Sequence, residues 1–226
     1  MPSVSGRNPG APRGFAVVDL EATGSSSHRH RVVELAVVLL DRDLEPQGEF
    51  TTLVDPQGPV GPTHIHGIEP EHLGGAPRFA GIAGRLLALL SGRVLVGHNV
   101  GCDRAFLVAE YARIGVRLPD VPELCTMRLA AERGPAPYGL SLRACAAAVG
   151  ITDWRPHAAL GDARATATLF AHLAPGVRDL PALLALAGGL RWPEPSGVLA
   201  AADALWMRRG NEPARRSVPN VRHWGA

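Results

Sequence analysis

The chain contains no lysine, so all 23 of its basic side chains are arginines. Cysteine is scarce as well. Cys102, Cys125 and Cys145 are odd in number and share no paired spacing, which excludes a disulfide framework and a cysteine zinc site. They read as reduced thiols, with a cytoplasmic location expected. Aromatic residues make up only 5% of the chain, so its core must be built from Ala, Val and Leu, and 46% apolar content suffices for one. No apolar run approaches the roughly 20 residues that span a membrane. Met1 to Arg13 is rich in Pro, Gly and Ser and lacks the apolar stretch of a signal peptide, so residues 1–13 read as a flexible leader. A bulk basic surplus is missing too. Residues 1–174 hold 16 Arg against 17 acids, net −1, whereas residues 175–226 hold 7 Arg against 4 acids, net +3. Any phosphate ligand of the body must therefore be held locally, by metal and backbone.

What is present centres on Asp19-Leu20-Glu21-Ala22-Thr23-Gly24, which closes the apolar run Phe15-Ala16-Val17-Val18. That run reads as a buried strand. Side chains alternate along a strand, so Asp19 and Glu21 share a face. Two dehydrated carboxylates side by side need a positive partner, and the flanking arginines in sequence are Arg13 and Arg29. A divalent cation is the simplest compensation, and oxygen ligands suit magnesium or manganese. The alternative is a solvated acidic turn.

The remaining chain alternates. Strands are predicted at 14–20, 32–40 and 48–54, joined as an antiparallel meander. The intervening Gly24–Arg31 loop reads as solvated, with a phosphate contact as the alternative. Residues 55–62 are too rich in Pro and Gly for regular structure, and Thr63 to Ile68 reads as a surface turn. A helix over 78–90, a strand at 93–96, a helix over 100–114 and a fifth strand at 121–125 follow. Helices are then predicted near 126–132, 140–149 and 161–173, with a Pro/Gly loop at 134–139. This order implies an α/β layer in which helices cover a mixed sheet.

Two further acids stand at helix starts, Asp103 and Asp162, and His157 lies in the loop entering the last of these helices. Helix starts and strand ends are where α/β folds gather ligands. Four carboxylates and a histidine so placed could form a two-metal site for phosphoryl transfer, with His157 as general base. Taken singly, each acid reads equally as a helix cap.

Three segments now combine. Asp19-Leu20-Glu21-Ala22-Thr23-Gly24, His98-Asn99-Val100-Gly101-Cys102-Asp103 and His157-Ala158-Ala159-Leu160-Gly161-Asp162-Ala163 resemble, in order, the motifs of the DEDDh (DnaQ-like) 3′–5′ exonucleases. That family includes the proofreading epsilon subunit of bacterial replicative polymerase. Ile65-His66-Gly67-Ile68 is similar to a family segment that packs on the terminal nucleotide, and the likeness extends over about residues 14–173. It implies a ribonuclease H-like α/β fold with a five-stranded mixed sheet flanked by helices. It implies two Mg2+ or Mn2+ ions bound by Asp19, Glu21, Asp103 and Asp162, with His157 activating water. It places Ala22, Thr23, Ile65, His66 and Asn99 against a terminal nucleotide of single-stranded DNA or RNA. The implied role is replication or repair of DNA, or RNA trimming. Ala22 departs from a common family threonine, and Cys102 stands where phenylalanine is frequent.

Residues 14–174 are thus expected to form the exonuclease domain, and 175–226 an extension, with helices at Asp179–Leu190 and Val198–Met207. The extension reads as a cover over the body. Its alternative is a docking segment for a DNA polymerase or for nucleic acid, using Arg208, Arg209, Arg215, Arg216 and Arg222. The rival function is a non-catalytic nucleic-acid-binding or polymerase-associated subunit.

Overall fold

The structure, a computed structural model, describes residues 11–133 and 139–198. Most of the predicted leader, the 134–138 part of the Pro/Gly loop, the helix at Val198–Met207 beyond its first residue and the tail arginines Arg208, Arg209, Arg215, Arg216 and Arg222 lie outside the described residues.

The strands are β1 (Gly14–Ala22), β2 (Val32–Leu40), β3 (Pro46–Leu53), β4 (Arg93–Gly97) and β5 (Glu123–Cys125). They form one sheet in the order β3-β2-β1-β4-β5. β1–β2 and β2–β3 are antiparallel, whereas β1–β4 and β4–β5 are parallel, so the sheet is mixed. The helices are α1 (Thr63–His66), α2 (Phe79–Leu90), α3 (Val100–Arg113), α4 (Thr126–Arg133), α5 (Leu142–Ala148), α6 (Ala159–Leu173), α7 (Leu180–Gly189) and α8 (Pro195–Val198). None among the described residues is long and apolar enough to cross a membrane alone.

β1 and β2 read as nearly continuous apolar runs because both faces of the sheet are covered. Phe15, Val17, Ala36, Val38, Val94 and Val96 pack with α6, while Ala16, Val18, Leu35, Val37 and Leu95 pack with α2 and α3. On α6, Ala159, Ala163, Ala167 and Phe170 recur at helical spacing and are buried. The alanines bring the helix close to the sheet, and Phe170 meets Phe15 edge-on at 5.0 Å between ring centroids. Burying one such side chain contributes about 1.5–3 kcal/mol. On the other face Phe79 and Tyr111 make a second edge-on pair at 5.0 Å, and the Tyr111 hydroxyl donates to the Ala83 carbonyl.

Several boundaries differ from the sequence reading. β1 continues to Ala22 because β2 follows it with a bulge between Glu21 and Ala22. β5 shortens to Glu123–Cys125, after Pro119 and Pro122, since proline cannot donate to a ladder. Residues 63–66 form a one-turn helix instead of a surface turn, and it buries His66. The Gly24–Arg31 loop is not merely solvated. Arg31 forks onto buried Glu110 at 2.8 and 2.9 Å, and Arg113 donates to the carbonyls of Ser27, His28 and His30. Beyond the body, α7 contributes Leu184 and Ala187 to the α6-side core. Trp192 and Val198 pack against the opposite core.

Candidate functional site

Alternation along β1 puts Asp19 and Glu21 on the face that Phe15 and Val17 occupy deeper in the sheet, the side covered by α6. The first turn of α6 supplies Asp162 to that side, 8% exposed. Asp103 comes from the first turn of α3 and is 7% exposed. It reaches the same strand end because β4 pairs with β1 only over Gly14–Val17. The free edge beyond lets the Leu20 N–H donate to the Asp103 carboxylate.

The acids repel one another strongly. Burial, followed by the charges of Asp103, Asp162, Glu21 and Glu34, holds Asp19 well above the ordinary carboxylate range. Asp103 is pushed up to about 8, mainly by burial and also by Glu21, despite the hydrogen bonds it accepts. Single ligating atoms of Glu21, His157 and Asp162 lie within 4.8 Å of one another. A crowded, dehydrated set of carboxylate oxygens with one imidazole, and no thiolate, fits a hard divalent cation.

His157 is exposed at the entrance to α6, in left-handed backbone conformation (φ 59°). Its N–H donates to Asp162 Oδ2 at 2.8 Å, and Trp154 Nε1 donates to Oδ1 at 2.7 Å. Asn99 is also left-handed (φ 68°), a conformation asparagine tolerates, and it starts α3 at the end of β4. His98 beside it contacts the Thr126 hydroxyl at 2.9 Å and the Leu140 carbonyl at 2.8 Å. Burial lowers its pKa, and because a carbonyl oxygen only accepts, Nε2 is the donor in the contact with Leu140.

The residues anticipated around a terminal nucleotide lie as follows. Ala22 is half-buried against the α2–α3 side. Thr23 pairs with Arg31, donating its N–H to the carbonyl and accepting from the amide at its hydroxyl. Gly61 presses on Thr23 so closely that a Cβ there would stand 2.3 Å from the Thr23 carbonyl oxygen. α1 follows directly, with Ile65 47% exposed but His66 only 1% exposed. His66 Nδ1 accepts from the Ile68 N–H at 3.0 Å, so His66 belongs to a wall and Ile65 offers the open apolar surface.

Two residues escaped the sequence reading. Glu34 is a lone acid within the apolar run of β2, directly opposite Glu21. Trp154 stands three positions before His157 in an irregular loop, with no periodicity to mark it. A groove of about 820 Å³ beside α3 is lined by Arg104, Val108, Arg117 and Leu118. It contains none of the four acids, so the chemistry belongs to the carboxylate cluster instead.

Comparison with known proteins agrees with this geometry. The family model described as Exonuclease matches residues 16–170. The DNA polymerase III subunit epsilon-like protein of Rhodobacter capsulatus is 36% identical over 170 residues, covering 73% of this chain and 24% of that protein. The DNA polymerase III subunit epsilon of Aquifex aeolicus is 32% identical over 159 residues, covering 69% of this chain and 78% of that protein. The chain spans about a quarter of the length of the first two curated relatives it matches. The nuclease domain of 3′hExo, a DEDDh family member solved bound to rAMP, shares the fold with a TM-score of 0.62 at 18% identity. That alignment covers 72% of this chain and 92% of that domain.

Proposed function

The chain belongs to the DEDDh (DnaQ-like) 3′–5′ exonuclease family, and from that premise we propose that residues 14–174 release nucleoside monophosphates from the 3′ end of single-stranded DNA or RNA. The observation that supports this most is the gathering of Asp19, Glu21, Asp103 and Asp162 at one strand end, with His157 beside them.

Asp19, Glu21 and Asp162 would hold Mg2+ or Mn2+, with Asp103 serving a second ion. When bound, the ions supply positive charge to the phosphate and acidify a water. The chain's own residues do the rest. His157 is exposed beside Glu21 and Asp162, so its imidazole reaches a water at the cluster and accepts its proton. Ile65 offers an apolar platform for a terminal base, and stacking of that kind tolerates any base. Ala22, Thr23 and Asn99 border the sugar, and His66 stiffens the wall behind Ile65. Thr23 is fixed by Arg31 and by the close approach of Gly61, so the backbone there would form a rigid wall beyond the terminal nucleotide. Alignment for attack then follows from fit.

A DNA polymerase is the proposed partner of the extension, given the name of the Aquifex relative, and a cytoplasmic role in replication or repair is proposed with it. Leu184 and Ala187 are committed to the body's core, so the docking surface lies elsewhere in the extension.

The test is a 5′-labelled single strand incubated with Mn2+, beside the same strand with a blocked 3′ terminus. A descending ladder from the free end alone is expected. Cleavage of a circular single strand would instead show an endonuclease.

A further inference from the structure

The loop that enters α6 is arranged around one carboxylate. Asp162 accepts from the Trp154 indole at Oδ1, 2.7 Å, and from the His157 backbone at Oδ2, 2.8 Å. His157 makes the second bond from left-handed backbone (φ 59°), a conformation unfavourable for most non-glycine residues. The first requires the indole to lie over the opening turn of α6. Gly161 lets the loop that carries the indole lie this close, since a Cβ there would crowd the Arg155 carbonyl oxygen at 3.0 Å, with Trp154 Cδ1 in ordinary contact at 3.4 Å. Three local features thus converge on the orientation of a single side chain.

From this geometry we infer that Trp154 is a positioning residue that presets the Asp162 carboxylate for a divalent cation, and so sets the metal affinity of the site. The inference rests on the reading of Asp162 as a metal ligand. Each carboxylate oxygen has two lone-pair directions, so an oxygen holding one N–H still has one for an ion. An indole suits the task because it only donates and carries no charge. An arginine in the same place would neutralise the carboxylate and repel the incoming cation. The indole restricts rotation of Asp162 without weakening its attraction. Hydrogen bonds of this outer kind typically change metal affinity about 10–100-fold when removed.

The test uses the full chain and Mn2+ alone, followed by titration calorimetry at fixed pH. Trp154→Phe keeps an aromatic ring over Gly161 and removes only the N–H. Its Mn2+ affinity is expected to fall about 10–100-fold. Its melting temperature in chelator should match the parent's, and turnover should recover at saturating Mn2+. A purely structural role would move the melting temperature and leave affinity alone. Gly161→Ala is the second variant, because its Cβ would crowd the Arg155 carbonyl oxygen at 3.0 Å and so shift the loop that carries the indole while keeping every donor, and its affinity should fall in the same direction. Unchanged affinity in Trp154→Phe, or in Gly161→Ala should Trp154→Phe not fold, overturns the positioning role and leaves the metal site standing. If Asp162→Asn binds Mn2+ as tightly as the parent, or the parent binds none, the metal reading itself fails and this inference with it.

Discussion

Glu34 Oε2 accepts a hydrogen bond from the Ala159 N–H at 3.0 Å, which ties the middle of the sheet to the first residue of α6. Glu34 is 3% exposed, and its cross-strand neighbour is Glu21. It therefore plays two opposed parts. It satisfies a buried helix-start amide that would otherwise lack this acceptor, and it adds a negative charge that raises Asp19. Glu34→Ala removes the acceptor and should cost about 1–3 kcal/mol of stability. Glu34→Gln keeps an acceptor and removes the charge, so it should cost much less in metal-free protein. Chemical denaturation of both in chelator checks the order, and equal losses would show that the charge and not the hydrogen bond matters.

The four carboxylates should be dispensable for folding and essential for turnover. Asp19→Ala, Glu21→Ala, Asp103→Ala and Asp162→Ala are each expected to abolish most activity. Excess chelator should do the same to the parent. Magnesium or manganese should raise the melting temperature of the parent more than that of any variant, because an ion that binds only the folded state stabilises it by mass action. Differential scanning fluorimetry with and without Mn2+ measures this. Full activity in chelator would remove metal from the reaction.

His157→Ala should lower the rate by about two to four orders of magnitude, the share usual for a general base. Its imidazole lies within reach of the atoms of Glu21 and Asp162 that would hold an ion, so the ring could equally act as a ligand. Calorimetry with Mn2+ separates the roles. Near-parental affinity with a slow rate assigns the base, whereas a large affinity loss assigns a ligand.

Much of this arrangement was legible from residue order alone, for reasons that individual residues illustrate. Asp19 and Glu21 were placed on one face because alternation in a strand leaves no other choice. The order of elements, three strands and then strands alternating with helices, implied a mixed sheet covered by helices. The hydrogen bonds of Trp154 and Glu34 were not legible, because their partners are 8 and 125 positions away and neither follows a period. The fate of His66 was hidden too. A histidine beside exposed Ile65 gives no sign that one helical turn will point it inward. The Gly24–Arg31 loop looked solvated because its anchors, Glu110 and Arg113, lie far along the chain on α3.

The extension splits into a part that folds with the body and a part outside the described residues. Leu184, 7% exposed, and fully buried Ala187 line the same core as Phe170. Truncation after Ala174 removes both and exposes that face, so a loss of about 2–5 kcal/mol is expected from Leu184 alone. Truncation after Val198 keeps α7, Trp192 and α8 and should leave the melting temperature near the parent's. Thermal melts of the two truncations in chelator decide this. An unchanged melting temperature after truncation at Ala174 would show that α7 is only an ornament on the core.

Metal-free protein should lose stability as pH rises, the reverse of common acid denaturation. Burial and mutual repulsion raise Asp19 and Asp103 above their unfolded values, Asp103 to about 8. Between the unfolded carboxylate value near 4 and that folded value, the native state binds more protons than the unfolded chain. Stability therefore falls with pH across this window, and the loss is complete once pH exceeds the folded value. Below about pH 4 Asp19 and Asp103 are protonated in both states and contribute no penalty. Asp103→Asn should flatten the slope and, near pH 8, exceed the parent in stability by about 1–3 kcal/mol, the scale of an uncompensated buried polar group. Saturating Mn2+ should flatten it as well, by supplying the missing positive charge. Urea denaturation in chelator at pH 5, 6.5 and 8 provides the measurement. A stability that climbs across those three values would mean that the acids are compensated by the protein itself, and the electrostatic case for a cation at this site would fail.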